Sequence, residues 1–150
     1  MPDPITWSVR VSSAGEETQV AYARNHTLPI GRSASFQERD PNPSAVELFL
    51  AALGGDIASS FNRIARRRGI SVVALEASVL GQIASPLVVL GVIGESGDPG
   101  FEEISCTLYV TADAEDANLR QAWEACLTIS PIVSTLRRAI PLQLTLQIIP

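Results

Sequence analysis

Residues 43–69 read PSAVELFLAALGGDIASSFNRIARRRG, and this stretch decides the fold. Ser44 can accept a hydrogen bond at the start of a helix, and Glu47 three residues later completes a capping box. No proline interrupts residues 45–68. Arg66, Arg67 and Arg68 put positive charge at the negative end of the helix dipole, and Gly69 suits the residue just past it. The pattern predicts one long helix over 45–68. Its first half carries Val46, Leu48, Phe49, Leu50, Leu53 and Ile57 on every face. A helix that is apolar all round is a helix buried on all sides. It asks for cover from a sheet and from something more, a second subunit being one source.

The segments around it read as strands and shorter helices. On the N-terminal side, Ile5, Trp7, Val9 and Val11 alternate with polar residues, which predicts a half-buried strand. A turn at 13–17 and a second strand at 18–24 make an opening hairpin, and 31–43 is a polar loop. On the C-terminal side, Ser71 to Val79 alternates with Val73, Leu75, Ala77 and Val79 on one face. Leu87 to Ile93 is a short apolar run ended by a glycine-rich turn. Ile104, Cys106, Leu108 and Val110 alternate in a further strand. A helix follows at 114–127, with Leu119, Ala122, Trp123 and Cys126 as its apolar stripe. Ser130-Pro131, a cap followed by proline at the first helical position, starts a short helix reaching Arg138. Leu142, Leu144, Leu146 and Ile148 mark a final strand. Strands, long helix, strands, two helices, strand: this order predicts a single α+β domain over 1–150 with a largely antiparallel sheet.

Composition narrows the chemistry. The chain has 150 residues, 46% hydrophobic and 18% charged, enough for a real core. A net charge of −5 without a basic tail argues against nucleic acid as a partner, and Arg63 with Arg66–Arg68 reads as a solvated helix end. Every basic residue is arginine, so lysine Schiff-base chemistry is out. The one histidine, His26, reads as a loop or strand-end residue and gives no multi-histidine zinc site. Cys106 and Cys126 cannot form a disulfide framework. The longest apolar region, 46–61, is broken by Glu47, Gly54, Gly55 and Asp56, so no membrane span is expected. With no targeting segment evident, the expectation is a cytoplasmic protein with reduced thiols and no cofactor or metal.

Two segments together, PSAVELFLAALGGDIASSF at 43–61 and CLTISPIVSTLRRAIPLQLTLQI at 126–148, resemble the OsmC/Ohr family of osmotically inducible and organic hydroperoxide resistance proteins. The resemblance covers nearly the whole chain. It implies a sheet wrapped around a long buried central helix and an intertwined homodimer with sites at the subunit interface. It also implies reduction of organic hydroperoxides by a peroxidatic cysteine in the central helix and a resolving cysteine before the proline of the second motif. Here those positions read Gly55-Asp56 and Ser130-Pro131. The family's acidic partner is matched only approximately: Val46 stands at its place and Glu47 one position away. Arg24 is the best candidate for the family's arginine.

Peroxide reduction needs a thiolate that attacks the O–O bond and becomes a sulfenic acid. Neither a carboxylate nor a hydroxyl can run that cycle. Asp56 is either a solvent-facing carboxylate near two glycines or a carboxylate in an apolar pocket, where it needs a donor such as Ser130 or an arginine. Ser130 reads first as a helix cap, Glu47 as a capping-box residue, and Cys106 and Cys126 as small buried hydrophobes. Arg24 either continues the face of Val20 and Tyr22 into the site or lies past the strand end. The first functional reading is an OsmC-like protein without thiol peroxidase activity that binds a small apolar ligand or a partner at Asp56, Ser130, Arg24 and Glu47. The alternatives are an enzyme, through a relocated thiol at Cys126 or through Asp56 as a base, and a structural partner of a competent relative.

Overall fold

The computed structural model describes residues 3–32 and 40–150, so 33–39 of the expected 31–43 loop lie outside the described residues. The chain divides into two compact units, 1–48 and 49–150. The N-terminal unit is an antiparallel meander of β1 (Arg10–Ser13), β2 (Gln19–Ala23) and β3 (His26–Ile30) in that order. The strand expected from Ile5 pairs only from Arg10 onward, and Ile5, Trp7, Val9 and Val11 are each more than half exposed. The alternation is real but its apolar side is not covered. β3 was not foreseen. Arg24 and Asn25 reverse the chain, and Pro29 is tolerated because β3 has a neighbour on one side only.

The long helix, α1 (Ala45–Arg67), starts as its sequence dictates. The Ser44 amide donates to Glu47 Oε2 at 2.7 Å, the Ser44 hydroxyl to the same oxygen at 2.9 Å, and the Glu47 amide to Ser44 Oγ at 3.2 Å. Gly69 follows its end with φ +70°, a value a side chain would disfavour. Within this chain alone, α1 is covered along one face. Leu53, Gly54, Ile57, Ser60, Phe61 and Ala65 are buried, a single stripe at helical spacing. Val46 and Phe49 stay 37% and 40% exposed, and Ala51, Ala52 and Gly55 are exposed as well.

The C-terminal unit holds β4 (Ser71–Ile83), the one-turn α2 (Pro86–Val89), β5 (Phe101–Asp113), α3 (Asp116–Ile129), α4 (Pro131–Leu136) and β6 (Leu142–Ile148). Its sheet order is β4-β5-β6. β4 and β5 are antiparallel, while β6 returns parallel to β5 after α3 and α4. A parallel return needs such a helical crossover. The architecture is the expected α+β class, in two three-stranded sheets rather than one, antiparallel apart from the β5–β6 pair.

Leu53, Ile57 and Phe61 of α1 pack with Ile104, Cys106, Leu108 and Val110 of β5, with Leu119, Ala122, Trp123 and Cys126 of α3, and with Val133 and Leu136 of α4. Burying side chains of this size contributes roughly 1.5–3 kcal/mol each. α1 can lie close to β4 because Gly54 faces it. A Cβ there would sit 3.0 Å from Val79 Cγ2 and 3.5 Å from Ala77 Cβ. On β4 the expected face is corrected at Val73. The register slips between Val72 and Ala74, and this bulge turns Val73 outward, to 73% exposure. The apolar run at 87–93 forms α2 and the turn after it, with Ile93 fully open to solvent.

Candidate functional site

Asp56 lies on α1 and Ser130 at the junction of α3 and α4, 74 residues apart in sequence. α3 ends at Ile129 because Ser130 takes an extended conformation, and Pro131 opens the next helix. Proline has no N–H, so the first free donors of α4 belong to Ile132 and Val133. The Val133 amide donates to Ser130 Oγ at 3.1 Å, a serine cap. The Ile132 amide donates to Asp56 Oδ2 at 3.2 Å. The Ser130 hydroxyl donates its own proton to the same Asp56 oxygen. One carboxylate oxygen thus gathers two donors, and the serine is both donor and acceptor. Ser130 is 1% exposed, whereas Asp56 is partly exposed.

Asp56 therefore has the environment of neither sequence alternative taken whole. It is partly exposed, and its donors are the Ser130 hydroxyl and the Ile132 amide. The role of the Ile132 amide was missed. The Ser-Pro pair carried the signal, because it makes residues two and three past the serine the first available donors.

The two thiols lie deep in the C-terminal unit. Cys126 is fully buried, and its sulfur lies 3.8 Å from the Ile57 carbonyl oxygen as a weak donor. Burial pushes its pKa up to about 12, with the Asp56 charge adding to the rise. Burial pushes Cys106 up to about 11. Both stay thiols across the physiological range, and neither has the electropositive, accessible setting of a reactive cysteine.

Glu47 and Arg24 belong to the N-terminal unit. The Glu47 carboxyl is held below its ordinary value by the Ser44 backbone N–H first and the Ser44 hydroxyl second. Its capping reading is the geometry found. Arg24 does not continue the β2 face. β2 ends at Ala23, and Arg24 occupies the exposed turn with φ +53°, a left-handed value that is uncommon for a residue with a side chain. His26 begins β3 and is exposed. Among the described residues no three His, Cys, Asp or Glu side chains group as a metal site, and no helix is long and apolar enough to cross a membrane.

A long capped helix laid on a mixed sheet, pinned through a carboxylate to a Ser-Pro helix start, defines the class. The OsmC-like protein family profile matches residues 37–145, and the chain belongs to that family. No curated protein sequence matches it. Among solved structures, an OsmC-like protein from Mycoplasma pneumoniae aligns at a TM-score of 0.81 with 11% identity, over 97% of this chain and 99% of that one. An organic hydroperoxide resistance protein from Elizabethkingia anophelis, with thiocyanate bound, aligns at 0.68 with 14% identity, over 99% and 100%. The organic hydroperoxide resistance protein OsmC from Legionella pneumophila aligns at 0.67 with 10% identity, over 97% and 99%.

Proposed function

We propose that this OsmC-like protein has exchanged thiol peroxidase chemistry for binding, and that as a homodimer it holds a small apolar molecule beside Asp56 and Ser130. The observation that carries the reading is the Asp56–Ser130 hydrogen bond at the two positions where the family resemblance puts cysteines. A carboxylate holding a hydroxyl cannot become a sulfenic acid or resolve one. The relocated-thiol alternative is disfavoured by the same surroundings. Cys126 is fully buried and its pKa stands near 12, so almost none of it is the thiolate that attacks peroxide.

The exposed face of α1 supports the dimer. Phe49, Ala52 and Gly55 offer an apolar, small-residue surface that a second copy can cover. The uncovered side chains of Ile5, Trp7, Val9 and Val11 support it independently. Two free buried thiols suit a reducing cytoplasm.

The test treats the purified protein with one equivalent of cumene hydroperoxide in the presence of dimedone, which captures sulfenic acids, and reads intact mass. Light scattering on the untreated sample gives the oligomeric state. The expected result is a dimer with no dimedone adduct. An adduct on Cys126 or Cys106 would restore the peroxidase reading, and a monomer would remove the shared site.

A further inference from the structure

The ligand chemistry can be narrowed from the way Asp56 is held. Its Oδ2 accepts from the Ser130 hydroxyl and the Ile132 amide, while its Oδ1 has no partner among the described residues. No arginine of the C-terminal unit lies within ion-pair distance of it, and the chain contains no lysine. The surface beside it is apolar or small. Ala52 lies one helical turn before it on α1, Gly55 adjoins it, and Pro131 and the 39%-exposed Ile129 flank Ser130. An apolar body laid over this surface takes water away from the carboxylate. A carboxylate deprived of water is strongly disfavoured unless it is paired. One backbone amide, of Ile132, and one hydroxyl, of Ser130, itself held by the Val133 amide, serve one oxygen and leave the other open. An anionic ligand would add like-charge repulsion, and a pure hydrocarbon would leave Oδ1 dry.

We propose that Asp56 is the receptor for the ammonium head of a small apolar amine, its Oδ2 locked by Ser130 and Ile132 and its Oδ1 turned to the ligand. The assignment rests on the binding reading above and adds the head-group chemistry to it. Ser130 acts here as a positioning residue, fixing the carboxylate in one orientation so that binding need not order it.

The experiment compares decylamine, decanol and decanoate, each below its micelle concentration, by calorimetric titration of the full-length protein. Decylamine is expected to bind about tenfold or more tightly than either matched probe, as befits a charge-assisted pair in a partly dry site. In Asp56→Asn that preference is expected to collapse while decanol affinity stays. In Glu95→Gln, which alters an exposed carboxylate elsewhere, it is expected to persist. Equal binding of all three probes by the wild type would overturn the head-group assignment and leave the apolar site standing. An amine preference that survives Asp56→Asn would also overturn it, marking general attraction to an acidic protein. Absence of binding by any probe would sink both this assignment and the binding reading. The wild-type comparison stands without any variant, so a poorly folded Asp56→Asn protein does not rescue the idea.

Discussion

Replacing Ser130 with alanine removes a donor and an acceptor from a position that is 1% exposed. The Val133 amide loses its cap, which costs about 1 kcal/mol. Asp56 loses a charge-assisted bond worth roughly 1.5–3 kcal/mol where water cannot replace it. Asp56 is partly exposed, so water recovers part of that second amount. The expected loss is about 2 kcal/mol, or about 6 °C in melting temperature for a chain of this length. Calorimetry at one fixed protein concentration reads it, because subunit association would otherwise shift the midpoint. A double-mutant cycle with Asp56→Asn isolates the pair, with a coupling of about 1–2 kcal/mol expected. A melting shift below about 1 °C, or strict additivity in the cycle, would refute the reasoning that this pair pins α1 to the start of α4.

Three other outcomes follow from the same geometry. Gly81→Ala would place a Cβ 2.4 Å from Phe101 Cε1 and 3.1 Å from Leu50 Cδ2, so it should destabilise by about 1–3 kcal/mol in a urea melt as the Phe101 ring is forced aside. Glu47 has a folded pKa below its ordinary 4.5, so its contribution is present above that value and fades as pH falls through the folded one. The protection factors of the amides at residues 45–48, taken against their intrinsic rates at each pH, should therefore fall in acid, and Glu47→Gln should show the reduced protection already at neutral pH. Cys106 and Cys126 have folded pKa values raised from 9.0 to about 11 and about 12, so their contribution is whole below pH 9 and drains as pH rises past it. Disulfide-reagent labelling at pH 8 should run roughly a hundredfold slower at Cys106 and roughly a thousandfold slower at Cys126 in the native protein than in urea, and Cys126→Ala should flatten the alkaline fall in stability.

Much of this was legible because it depended on local chemistry. The capping box at Ser44 and Glu47, the stripe of α3 and the inward set Ile104, Cys106, Leu108 and Val110 all follow from spacing alone. What spacing could not carry was direction and register. The alternation Leu142 to Ile148 has no sign, so the parallel pairing with β5 was invisible until the α3–α4 crossover was placed. A one-residue bulge at Val73 reverses which side chains face inward, and no residue type announces it. β3 hid because Pro29 argues against a strand and its residues are mostly exposed. The one covered face of α1 was not legible, because its sequence reports the total apolar surface to be covered, not how much of it this chain covers itself. At the site, the meeting of Asp56 with Ser130 came from the family resemblance. The part owed to the Ile132 amide was implicit in Pro131 and went unread.

The central claim is that thiol chemistry is absent. The most direct test incubates the protein with an alkyl hydroperoxide and an excess of dithiol reductant, and counts peroxide consumed per protein molecule. Consumption at the rate of buffer and reductant alone is the predicted result. Sustained turnover that disappears in Cys126→Ser would contradict the account and return the chain to the peroxidases.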